Sequence, residues 1–187
     1  MSSVAHVRWT VAGAIILTCF GFVWCILALA LWPAHPRWSI PAGDAVAVML
    51  LVFCVQRLVV LRKIRSVDDP VAAAKGKRAG MWFGIIFGAE GLLIWLCAML
   101  LDHLGLSIWI PIAIAAIVGL HFLPLARVFE VSLYYWTGAI SVLAMLACCM
   151  IHDSGTRVLC AGLLMAAVLW GTALLLLLRA DPARLRA

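Results

Sequence analysis

Apolar residues run in long blocks along this chain, and charges gather between the blocks. Six blocks are long enough to cross roughly 30 Å of hydrocarbon, which takes about 20 helical residues. They fall at about Thr10–Trp32, Asp44–Leu61, Gly80–Leu101, Leu106–Val128, Leu133–Ile151 and Val158–Leu178, and the second is the shortest. In lipid the backbone must satisfy its own N–H and C=O groups, so blocks of this length predict helices; barrel strands are about half as long. The pattern predicts an all-α, polytopic membrane bundle of six transmembrane helices, forming a single domain over residues 1–187. Four of the five connections are short. The longest, RKIRSVDDPVAAAKGKR from Arg62 to Arg78, reads as a basic loop with room for a short interfacial helix near Pro70.

Composition agrees with the pattern. Hydrophobic residues make up 67% of the chain and charged residues 12%, where a soluble domain has about a quarter charged residues. The positions of the charges predict orientation. Eleven Lys and Arg residues fall on one side: Arg8 near the N-terminus, six between Arg62 and Arg78, Arg127, and Arg179, Arg184 and Arg186 at the C-terminus. The other side has Arg37 and Arg157. This bias places both termini in the cytoplasm. It also accounts for the net charge of +6 and makes anionic lipid headgroups at the cytoplasmic face the expected partners. Basic residues dispersed over short loops argue against nucleic-acid binding.

Several features refine this reading without changing it. Trp9, Trp82, Trp136, Tyr134 and Tyr135 fall at predicted cytoplasmic ends, and Trp32, Trp38 and Trp109 at the opposite face, as interfacial aromatics do. Trp24, Trp95 and Trp170 lie deeper and suit packing or lipid contact. The segment CILALA, Cys25–Ala30, ends like a signal-peptidase site, but the apolar run before it is longer than a signal core, so it reads as an uncleaved first helix. The seven cysteines all fall within spans, show no C-x-x-C spacing and read as small hydrophobes.

One position breaks the apolar pattern sharply. Glu90 is the only charge in GMWFGIIFGAEGLLIWLCAMLL, Gly80–Leu101. An intramembrane carboxylate is expensive unless paired, hydrated or protonated, and so marks a candidate functional site. Gly80, Gly84, Gly88 and Gly91 form a small-residue stripe on the same span, suited to close helix packing inside the bundle or to a homo-oligomer seam. Glu90 points well away from that stripe. Counting depth along the spans brings His121, Arg57 and Gln56 to a layer near Glu90 or slightly cytoplasmic of it, with Thr18, Ser141 and Thr172. The expectation is that Glu90 faces the bundle interior and meets His121 or Arg57, as a proton- or ligand-binding group. Simpler roles compete: Arg57 can snorkel to the headgroups, His121 can donate to a carbonyl freed by Pro124, and the hydroxyls can bond back to their own helices.

A second, weaker constellation lies on the outer face. His35, Asp102, His103, His152 and Asp153 come from all three outer loops. Imidazole and carboxylate suit zinc-like metals, but no fixed ligand spacing supports a metal site over helix caps and solvated loop residues.

The segment IVGLHFLPLARVF, Ile117–Phe129, taken with FGAEGLLI, Phe87–Ile94, and YYWTG, Tyr134–Gly138, resembles a group of small, uncharacterised bacterial multi-helix membrane proteins. The resemblance covers roughly the third to fifth spans. It implies a bacterial inner-membrane protein and brings no activity with it. Paired metal-binding histidines, a bis-histidine haem pattern, G-x-S-x-G, H-E-x-x-H and the phosphate loop are absent, so no cofactor and no catalytic residue is expected. The leading expectation is a small transporter or channel centred on Glu90. A lipid- or ligand-binding accessory module or sensor is the alternative, and a membrane enzyme of unrecognised type the third.

Overall fold

The structure, a computed structural model, describes residues 4–31, 38–62 and 70–180. Among these residues it contains six α-helices and no strand: α1 (Val4–Ala30), α2 (Ser39–Arg62), α3 (Pro70–His103), α4 (Ile110–Phe129), α5 (Leu133–Cys148) and α6 (Ser154–Arg179), with a short 3₁₀ turn at Ser107–Trp109. Five of the helices are long and apolar enough to cross a membrane, and α5, with 16 residues, is shorter.

The helix bounds correct the sequence reading in two places. The second span, expected to be the shortest, is a 24-residue helix, and α5 is the shortest instead. Residues 70–78 are not loop but the start of α3, which begins at Pro70 and continues without a break for 34 residues. Proline suits a helix's first turn, where the missing N–H leaves no helical bond unmade. At 1.5 Å per residue α3 is about 51 Å long. It outreaches the hydrocarbon and lifts Lys75, Lys77 and Arg78 clear of its apolar part.

In space the helices follow one another as α2, α1, α6, α5, α4 and α3, with α6 also reaching α2 and α4. Glycines permit the closest crossings. At Gly162 of α6, a Cβ would stand 2.6 Å from the Ala28 Cβ of α1. At Gly138 of α5, it would stand 2.9 Å from the carbonyl oxygen of Gly119 in α4. Polar bonds pin the first of these seams and the one between α5 and α6. Trp170 Nε1 donates to the Thr18 carbonyl at 3.1 Å, tying α6 to α1. Thr137 and Thr172 meet at 2.8 Å between α5 and α6. Each of these hydroxyls also lies within reach of its own i−4 carbonyl. A hydroxyl has one hydrogen, so one threonine donates to the other, and the acceptor keeps its own back-bond.

Helix α3 is the outlier. Only 6% of its most apolar stretch is buried, against 50% for α6, and it packs chiefly on α4. Gly80, Gly84, Gly88 and Gly91 do not pack inside the bundle: no neighbouring group lies within 4 Å of a Cβ at any of them. Spacing alone cannot supply a partner helix: Gly80 borders a cavity between the helices, and Gly84, Gly88 and Gly91 face outward, where lipid or a second copy of the chain would meet them.

The helix ends opposite the basic start of α3 are held by polar contacts. Asp102 accepts from Ser107 Oγ at 2.7 Å. Asp153 is the N-cap of α6, and its Oδ2 accepts the Thr156 N–H at 2.7 Å. That backbone bond, first among its causes, holds the Asp153 carboxyl below its ordinary value of 3.8. A depressed carboxyl stabilises the fold above its unfolded value, and the contribution is lost as the pH falls through the lower, folded value. Thermal unfolding in detergent should therefore show an acid-sensitive component in the wild type that is absent in Asp153→Asn. Asparagine still caps a helix but does not titrate, so equal acid sensitivity in both proteins would contradict this assignment.

Candidate binding site at Glu90 and His121

Glu90 is the one buried residue of α3 among those described. It lies two residues beyond Gly88, about 200° around the helix. The outward glycine stripe therefore turns the carboxylate inward, against α4. There Glu90 Oε1 lies 3.0 Å from Nδ1 of His121. The side chains are 7% and 15% exposed respectively, so the histidine is the more accessible of the two.

The same imidazole nitrogen lies 2.7 Å from the carbonyl oxygen of Val118. A carbonyl can only accept, so the hydrogen must sit on Nδ1. Glu90 Oε1 lies beside the same nitrogen as an ion-pair neighbour, not as a second hydrogen-bond acceptor. In the neutral ring the Val118 bond fixes the tautomer with its hydrogen on Nδ1. Pro124 plays no part in the contact. It frees the carbonyl of Leu120, whereas His121 uses that of Val118, three residues back on its own helix.

The pair lines a cavity of about 200 Å³ between α1, α3, α4 and α5, with Leu169 of α6 contributing to the wall. Most of the lining is aromatic or aliphatic. Phe87 stacks on Phe83 at 5.8 Å between ring centroids, and Phe83 meets Phe129 at 6.1 Å. Phe20 of α1 meets Phe87 of α3 edge-on at 6.4 Å, so these two rings bridge the helices on either side of the cavity. Tyr134 also lines it. The sequence placed Tyr134 at the interface, but it is 7% exposed, and its ring lies 5.8 Å from that of Phe122.

Arg57 and Gln56 do not join this site. Both are on α2, which packs on α1 and α6, at the opposite end of the helix row from α3. The Arg57 guanidinium lies 5.0 Å from the Phe53 ring centroid, and Gln56 is exposed. Depth along a span is readable from sequence, but angular position around the bundle is not. Thr18 and Ser141 are buried away from the cavity lining, and Thr18 bonds back to Ala14 at 2.8 Å.

The outer-face residues do not form a metal centre among the described residues, where no three His, Cys, Asp or Glu side chains converge. Asp102 and Asp153 accept the local bonds given above, His103 and His152 are exposed, and His35 lies outside the described residues. The notable polar group at this end is one the sequence counted only as a loop charge. Arg157 is 6% exposed, with its guanidinium 3.9 Å from the Trp109 ring centroid. Stacking on an indole is a recognised way to bury a guanidinium.

Compared with family models, curated proteins and solved structures, the chain shows no significant match. What defines its class is therefore its own architecture: an all-helical chain whose long apolar helices fit a multi-pass membrane bundle. The apolar side chains left outside, such as Leu92, Trp95 and Met99 on α3, fit lipid contact.

Proposed function

We propose that this protein is a small transporter of the bacterial inner membrane, crossing it six times with both termini in the cytoplasm. It binds a small organic cation in the cavity and exchanges it for a proton at the Glu90–His121 pair. The observation that carries this reading is the 3.0 Å contact between a buried carboxylate and an imidazole in the wall of an otherwise mainly apolar, aromatic cavity.

The chemistry follows from charge balance. An ionised Glu90 in apolar surroundings needs a counter-charge. Histidine protonated at Nε2 supplies one. An organic cation entering the cavity supplies another and is attracted by the aromatic faces as well. Two cations beside one carboxylate repel, so binding of the ligand releases the His121 proton. Each occupant displaces the other, which is the condition for exchange.

The test uses purified protein in liposomes with an internal pH-sensitive dye and benzyltrimethylammonium as the probe. Addition of the probe to wild-type vesicles is expected to move protons in the opposite direction, and Glu90→Gln to abolish both fluxes. Equal flux in wild type and Glu90→Gln would remove Glu90 from the mechanism. The lateral placement of the cavity between α1 and α3, bridged by Phe20 and Phe87, favours a second reading, a ligand-binding module without transport. That reading predicts probe binding lost in Glu90→Gln with no flux in either protein.

A further inference from the structure

A second groove lies where the basic end of α3 passes the end of α4 and the start of α5. From its chemistry we infer that it binds the phosphate headgroup of an anionic phospholipid. It is separate from the Glu90 cavity and does not rest on the transport reading.

The charges in the groove are not balanced. Lys75 makes a two-pronged ion pair with Glu130, with Nζ 2.8 Å from each carboxylate oxygen. This takes up the single carboxylate in the lining. Arg78, one turn further along α3, and Arg127, in the last turn of α4, line the same groove, and neither has a carboxylate partner among the described residues. Two guanidinium groups from different helices thus face one recess. Guanidinium binds phosphate oxygens through paired N–H donors, a match that a point charge does not offer.

The rest of the lining indicates a lipid rather than a free anion. Moving from Arg78 toward the middle of α3, the groove meets Trp82 and then Ile86. Those eight helical steps span roughly 12 Å along the helix. Leu123 of α4 continues the apolar wall, and Tyr135 of α5 adds a second interfacial aromatic. Cations at the mouth, aromatic rings at headgroup level and an aliphatic wall beyond reproduce the polarity gradient of a phospholipid. Basic recesses between helices at the cytoplasmic side take anionic headgroups in this way, and the positive-inside bias places this end there.

Native mass spectrometry of the full-length protein, carrying phosphatidylglycerol and phosphatidylcholine offered in equal amounts, tests the inference. Retention is expected to favour phosphatidylglycerol by roughly 25-fold, from two surface cations each worth about a factor of five. The double variant Arg78→Gln/Arg127→Gln should bring the ratio near one, while Lys77→Gln, on the same basic segment but outside the groove lining, leaves it unchanged. Arg78→Lys/Arg127→Lys, which keeps the charge, should retain part of the preference and shows that the fold survives substitution here. An unchanged ratio in the double glutamine variant overturns the site. So does an equal loss in Lys77→Gln, which would mean a diffuse basic surface. Displacement of the lipid by millimolar inorganic phosphate would assign the arginines to a free anion instead.

Discussion

Replacing His121 by leucine is expected to destabilise the protein far more than replacing Glu90 by leucine, although the two residues form one contact. The asymmetry comes from the third atom at the site. In Glu90→Leu, the imidazole Nδ1–H keeps its bond to the Val118 carbonyl at 2.7 Å, so the neutral ring stays satisfied and no buried charge is stranded. The loss is that of the ionic contact with Glu90 alone, about 1 kcal/mol. In His121→Leu, the carboxylate has lost its counter-charge in an apolar wall. It must take up a proton or remain ionised without a partner, and that costs on the order of 3 kcal/mol. The double variant removes the stranded group and should return to within about 1 kcal/mol of Glu90→Leu. Unfolding free energies of the four proteins in one detergent measure the cycle. Equal losses in the two single variants would mean that the Val118 bond does not anchor the imidazole.

The same contact shows how much the sequence could give. Glu90 stood out because one carboxylate in a long apolar run has few inexpensive explanations, and counting residues from the span ends brought His121 to a neighbouring depth. Depth is a one-dimensional quantity that helix geometry makes reliable. It did not separate His121 from Arg57, because that depends on which helices are neighbours, and short loops between apolar helices leave the order open. The structure resolves it by placing α3 beside α4 and leaving α2 at the far end. The buried Arg157 was illegible for a related reason. A positive residue near a helix end reads as solvated until an indole, here Trp109, is found to lie across it. Helix existence and approximate bounds were legible throughout. The exceptions were the start of α3, where a basic stretch after a proline looked like loop but continues the helix, and the second span, which is longer than α5 rather than the shortest.

Glycine spacing misled most, and the correction gives opposite signs for one substitution made at two places. Gly162→Ala is expected to destabilise the bundle. The new Cβ would stand 2.6 Å from the Ala28 Cβ and 3.1 Å from the Trp24 carbonyl oxygen. Both atoms are fixed to the backbone of α1, so no side chain can rotate away and the helix itself must shift. Overpacking of this kind costs roughly 1–3 kcal/mol, at a seam also pinned by the Trp170–Thr18 bond. At Gly84 there is nothing within 4 Å to meet. Gly84→Ala removes backbone freedom from the unfolded chain and should stabilise α3 by about 0.5–1 kcal/mol. Unfolding of both variants at a protein concentration low enough to keep single chains apart reads the two signs. Raising the concentration then tests the outward stripe. If a second copy packs its backbone against Gly84, the added methyl must open that seam, and the gain from Gly84→Ala will turn into a loss as the chains associate. A gain that is independent of concentration leaves the stripe to lipid.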